Sequence, residues 1–144
     1  MTRFLLDVNV LIALIDPAHV QHDKAHAWFA KTGRKAWATC PLTENGVLRI
    51  VGHARYPNSP GTPAAVVDLM ATFLAHPGHE FWPDDVTLID CERVHAARLL
   101  DSAQVTDSYL LALAAAHNGK LATFDRQIVT AAVVNGSQAL HLIS

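Results

Sequence analysis

Apolar residues in this chain come in short runs separated by acids, prolines and turn pairs, and the spacing within the runs switches between strand-like and helix-like. Residues 3–7 (RFLLD) read as a first strand. Their unbroken apolar character predicts burial on both faces, as in a parallel sheet. Residues 8–15 follow as a short helix. Asp16-Pro17 then offers a helix cap and a proline at the first helical position, so a second helix is expected to about Lys31, stopping at Gly33. Residues 35–40 (KAWATC) form the next predicted strand. Thr43 is placed as the cap of a helix starting at Glu44 and carrying Val47, Leu48, Ile50 and Val51. Residues 53–61, dense in Pro, Asn, Ser and Gly, read as a loop.

Thr62-Pro63 repeats the cap-plus-proline signal for a helix to about Ala75. Residues 76–85 hold a short strand around Phe81. Asp90 is expected to cap a helix over 91–100, and Thr106 to cap another over 107–117 that closes at Asn118-Gly119. Residues 120–124 (KLATF) give a further strand, and Asp125 opens an expected helix over 126–134. Asn135-Gly136 marks a turn and residues 139–143 (ALHLI) a last strand. The alternation of the two periods predicts an α/β class with a mainly parallel sheet, formed by one domain over residues 1–144.

Composition narrows the classes. Apolar residues make up 51% and charged ones 17% of the 144, which excludes a disordered tail or a charged coil. Stretches such as VLIALI and LLALAAA are too short to span a membrane. Asp7 interrupts the first apolar run, so no signal-peptide order is read there and a cytoplasmic location is expected. Cys40 and Cys91 are isolated, consistent with two buried thiols in a reducing compartment. The net charge of −2 shows no basic footprint in bulk, so extended nucleic-acid binding is disfavoured while brief engagement through a metal and local cations is not.

Four acids carry the candidate chemistry. Asp7 follows the first strand, Glu44 lies in CPLTENG, Asp107 in QVTDSYLLALA, and Asp125 follows KLATF. Each has a plain explanation alone: Asp7 and Asp125 as helix caps, Glu44 and Asp107 as acids favoured by a helix dipole. Together they map to the carboxyl end of the expected sheet, where α/β proteins bind ligands. Carboxylates gathered there repel one another, and oxygen-only donors suit Mg²⁺ or Mn²⁺. That combination points to metal-assisted hydrolysis of phosphodiesters.

At these residues the chain resembles a known family. LLDVNVLIAL, ENG and TDSYLLALAAAHNGKLATFD, in this order, are similar to the PIN domain, and more narrowly to the VapC ribonuclease toxins of toxin–antitoxin pairs. The resemblance implies an α/β/α sandwich with a four- or five-stranded parallel sheet. It implies that Asp7 and Asp107 are the main ligands of Mg²⁺ or Mn²⁺, with Glu44 and Asp125 completing the catalytic quartet. Asn9, in the D-x-N motif, and Thr123, in T-x-D, would orient the acids from behind. The alanine register after Asp107 departs from the pattern, because Leu111 precedes Ala112. The implied reaction is hydrolysis of RNA, such as a tRNA, to a 5′-phosphate and a 3′-hydroxyl, with Glu44 as a candidate proton acceptor. The implied partners are a VapB-like antitoxin, inserting a basic or bulky side chain toward the acids, and a second copy of the chain.

Other residues offer weaker signals. His19, His22 and His26 fall at i, i+3 and i+7 and pose a zinc face, against the simpler polar stripe. His117 suits a helix C-terminus. Trp28 and Phe29 read as core, with a partner groove as the alternative. Arg49, His53, Arg55 and Arg126 are candidate phosphate contacts or plain surface charge. Two competing functions stay open at this level. A magnesium-dependent phosphatase or phosphotransfer protein would use Asp7 covalently, although Asp7-Val8-Asn9 lacks the D-x-D pattern. A non-catalytic binding module would leave the acids as caps.

Overall fold

A computed structural model describes every residue from Met1 to Ser144. Five strands form one sheet in the order β3-β2-β1-β4-β5: β1 Phe4–Leu6, β2 Trp37–Thr39, β3 His79–Phe81, β4 Lys120–Thr123 and β5 Leu140–Leu142. Every neighbouring pair is parallel. β1 is central, and its side chains alternate between two cores. Phe4 and Leu6 join one cluster, with α1 (Val8–Ile15), α2 (His22–Lys31), α3 (Pro41–Val51) and α4 (Pro63–Leu74). Leu5 joins the other, under α5 (Val105–Ala116). This is the expected α/β/α sandwich, at the upper of the two expected strand counts. No helix is long and apolar enough to cross a membrane.

α5 shows how the second layer closes. It buries Ser108, Leu110, Leu111, Ala112, Leu113 and Ala114, too many for one face. A helix that is apolar nearly all round must be covered on more than one side. Trp82, Val94, Val133 and Ala139, from the irregular segments around it, join the same cluster. Its end follows expectation: Asn118 takes the left-handed conformation at φ 57°, and Gly119 packs against the Arg3 carbonyl.

Several element starts differ from expectation. Asp16 does not begin the second helix. It ends α1, and α2 starts only at His22. The reason is tertiary. Asp16 is buried, and its carboxylate accepts hydrogen bonds from the Tyr56 hydroxyl, Asn58 Nδ2 at 2.6 Å and Ala18 N at 2.9 Å. The predicted loop over 53–61 is thus strapped to the end of α1. α3 begins at Pro41, not Glu44, with Cys40 as cap. Thr43 lies one turn inside, its hydroxyl bonded to both Cys40 N and Cys40 O at 3.1 Å. α5 starts at Val105, with Gln104 rather than Thr106 in the N-cap position and no side-chain cap bond.

The helices expected over 91–100 and 126–134 do not form. Val94 and Val133 instead make an antiparallel bridge, with His95 N donating to Ala132 O at 2.7 Å and Val134 N to Arg93 O at 2.9 Å. Backbone groups used across the two segments are lost to any local helical ladder. Asp90 and Asp125 still cap, but each caps a turn, accepting from Glu92 N and Gln127 N at 2.9 and 2.8 Å. Of the cysteines, Cys40 is buried as expected while Cys91 is exposed.

The Asp16 strap is a stability element. Burial raises its carboxyl pKa, but the hydrogen bonds from Tyr56, Asn58 and Ala18 outweigh burial and hold it below the ordinary value. Tyr56→Phe leaves this buried carboxylate one donor short. Urea unfolding should show a loss of about 1–3 kcal/mol at pH 7. A midpoint unchanged from wild type would show that the strap contributes nothing.

Candidate active site

The site grows from the carboxyl ends of β1 and β4. Asp7 leaves β1 in extended conformation and caps α1, its Oδ1 accepting from Val8 N at 2.8 Å. Its Oδ2 accepts from the Thr123 hydroxyl at 2.7 Å. That hydroxyl in turn accepts from Asp125 N at 3.1 Å. Thr123 therefore ties the two strand-end acids together, and it is almost wholly buried. Asn9, expected to support Asp7, is exposed and makes no hydrogen bond to it; Thr123 supplies that support from the neighbouring strand.

Asp107 enters from the first turn of α5. Its carboxyl pKa is raised, first by burial and then by the charges of Asp7 and Asp125. Asp7 is raised as well. Burial is the main cause, the hydrogen bonds from Thr123 and Val8 oppose it, and Asp125 adds repulsion. Asp125 thus acts on both of the others, and Asp7 on Asp107. Asp125 is exposed at the rim of the cluster.

Glu44 stands in the first part of α3, held by a different donor. Its Oε2 accepts from the Thr39 hydroxyl at 2.7 Å. It also borders an apolar groove of about 200 Å³ lined by Leu48, Val67, Met70, Ala71 and Leu74. Gly46 brings this part of α3 close to the Asp7 segment, since a Cβ there would lie 2.8 Å from Val8 Cγ2. Thr39 had no sequence signal, because its tie to Glu44 depends on how β2 meets α3.

The residues present suit a hard divalent cation by chemistry: carboxylate oxygens, partly desolvated, with no Lys or Arg ion-paired to any of the three aspartates. No three carboxylate, imidazole or thiol groups are drawn together into a finished cage. The histidine face gives no alternative. His22 Nδ1 lies 2.7 Å from Ala13 O and His26 Nε2 lies 3.0 Å from Leu14 O, serving carbonyls at the end of α1, while His19 lies before the helix. His117 stacks on Trp82 and pairs with Asp85 at 3.0 Å. Phe29 is core, and Trp28 packs edge-on against Phe4. Arg49, His53, Arg55 and Arg126 are exposed, and none makes an ion pair.

Comparison with known proteins decides the family. The PIN domain family model matches residues 4–134. The chain belongs to the PIN-domain family. Among its relatives is Ribonuclease VapC44 of Mycobacterium tuberculosis, 45% identical over 140 residues and 97% of both chains. Ribonuclease VapC39 of the same organism is 42% identical over 128 residues, covering 89% of this chain and 92% of the relative. The VapC relationship expected from the motifs therefore holds over nearly the whole chain. The fold is shared with VapBC2 from Rickettsia felis bound to a promoter DNA fragment, at TM-score 0.58 and 13% identity over 99% of this chain and 100% of that one. A toxin–antitoxin complex from Klebsiella pneumoniae gives 0.55 at 18% identity over 90% and 98%.

Within this PIN domain the raised aspartates make a stability prediction. A folded-state pKa above the ordinary 3.8 means that the native Asp7 holds its proton more tightly than the unfolded chain does. Its ionisation then lowers stability as pH rises from that value through the raised one, and the loss persists above. Asp7→Asn should melt higher than wild type at pH 7 in chelator, with the gap closing as pH falls toward the ordinary carboxylate range. Scanning fluorimetry across pH checks this; a variant that melts lower at every pH would refute it.

Proposed function

We propose that this PIN domain is a VapC-type endoribonuclease that works with Mg²⁺ or Mn²⁺ and is neutralised by an antitoxin. The observation that supports the metal-dependent chemistry is the repulsion that Asp125 exerts on Asp7 and Asp107, and Asp7 on Asp107, at the carboxyl end of a parallel sheet. Without a cation such a cluster would repel an RNA phosphate.

Asp7 and Asp107 are assigned as the residues that hold the ion, with Asp125 and Glu44 completing the site. When bound, a divalent cation supplies the positive charge that polarises the scissile phosphate and makes an attacking water more acidic. The chain's own residues do the rest. Thr123 orients Asp7 through Oδ2 and fixes Asp125 through its backbone. Glu44 takes the proton of the attacking water as general base, leaving a 5′-phosphate and a 3′-hydroxyl. The substrate class is RNA, with a structured RNA such as tRNA as the first one to test. The antitoxin is VapB-like, and an arginine inserted among the aspartates would block the site by charge-assisted hydrogen bonds. A homodimer and a cytoplasmic setting complete the proposal.

The test is Mn²⁺ titration by calorimetry beside cleavage of total RNA. The wild type should bind and cut, and the Asp7→Asn/Asp107→Asn double variant should do neither while keeping its fold. Wild-type cutting by the double variant would refute the reading. Glu44→Gln should lose about 10²–10⁴-fold in cleavage rate, the usual reach of a general base.

A further inference from the structure

Thr39 is the last residue of β2 and is fully buried. Its Oγ1 lies 2.7 Å from Glu44 Oε2 and 2.7 Å from His79 Nε2. The parallel pairing explains the meeting. Trp37 is opposite His79 and Thr39 opposite Phe81, so His79 and Thr39 lie two positions apart along the same face of the sheet. The Trp37 ring packs against the imidazole with centroids 4.7 Å apart and limits how it can turn.

Proton counting then orders the three groups. A threonine hydroxyl has one proton and two lone pairs, and an ionised glutamate can only accept. The proton between Thr39 and Glu44 is therefore Thr39's own. The second short contact, to His79, needs a proton from the imidazole. A neutral ring carries one N–H. The Leu74 backbone also lies close to the ring and competes for it. The Thr39 contact, at 2.7 Å, meets hydrogen-bond geometry, and a proton on Nε2 would serve it.

We propose that Thr39 and His79 are positioning residues for Glu44: His79 Nε2–H donates to Thr39 Oγ1, which commits its single proton to Glu44 Oε2. One carboxylate oxygen is thereby tied down. The other, Oε1, makes no hydrogen bond and stays free to receive a proton. The chain runs from β3 through β2 to α3, so the rotamer of Glu44 is set by the sheet rather than by its own helix. The catalytic consequence rests on the proposed role of Glu44; the hydrogen-bond chain itself does not.

Two measurements separate these levels. The ¹⁵N spectrum of the His79 ring reads its tautomer without any substrate. Nε2–H is expected, with its proton exchanging faster in Thr39→Val. An Nδ1–H ring would overturn the proposal, because Thr39 would then have to give its proton to His79. RNA cleavage by folded variants reads the consequence. Thr39→Val should lower kcat about 10–100-fold, the usual cost of losing a group that orients a site residue, with KM little changed. Thr39→Ser should recover most of the loss. His79→Phe should behave like Thr39→Val, and His79→Gln, which keeps a donor, should be milder. Melting curves confirm that each variant is folded. Wild-type kcat in Thr39→Val, with activity abolished in Asp7→Asn, would overturn the positioning role and leave the proposed function standing. A wild-type protein that cuts no RNA would overturn the proposed function, and the ring tautomer would still decide the hydrogen-bond chain.

Discussion

A carboxyl group at the end of a strand buried on both faces is pushed toward its neutral form unless donors reach it. Asp7 is in that position, and its compensation comes from two directions. Val8 N is local, supplied by the start of α1. The Thr123 hydroxyl is not, for it arrives from a strand 116 residues further along the chain. The donors offset burial only in part, so the native carboxyl pKa remains raised. Asp125 adds repulsion to that imbalance, which a cation bound there would relieve. Stability is given up at the point where a PIN domain would do its chemistry.

The parallel sheet is what makes that arrangement possible. With all strands pointing the same way, acids placed after β1 and β4 emerge at one edge. Helices that return to the sheet begin at the same edge, so Asp107 in the first turn of α5 joins them. Glu44 arrives from the other layer, and its position is set by a separate set of contacts through Thr39. The candidate acids thus come from both layers, three aspartates on the β1–β4–α5 side and Glu44 from α3.

The same long-range logic explains where local signals misled. Asp16-Pro17 has the chemistry of a helix start, yet the carboxylate serves Tyr56 and Asn58, and the helix waits until His22. Residues 91–100 and 126–134 have helical spacing. Their backbones are used instead in the Val94–Val133 bridge over α5, which needs covering because it is apolar on several sides. A three-histidine spacing suggested a metal face, but two of the imidazoles cap carbonyls at the end of α1. In each case the group found its partner in another element that packing brought alongside, not in the local element its spacing suggested.

Strand identity, the parallel class, the two-core alternation in Phe4-Leu5-Leu6 and the four candidate acids were legible in the residues, since each depends on runs of a few neighbours. The T-x-D spacing also singled out Thr123, whose hydroxyl donates to Asp7, while Asn9 makes no hydrogen bond to it. What the chain could not reveal alone were the register that sets Thr39 beside His79, the strap on Asp16 and the bridge that replaces two helices. Those were decided by tertiary contacts, because a buried donor or acceptor takes whichever partner the packed layers bring within about 3 Å, and sequence distance does not enter that choice.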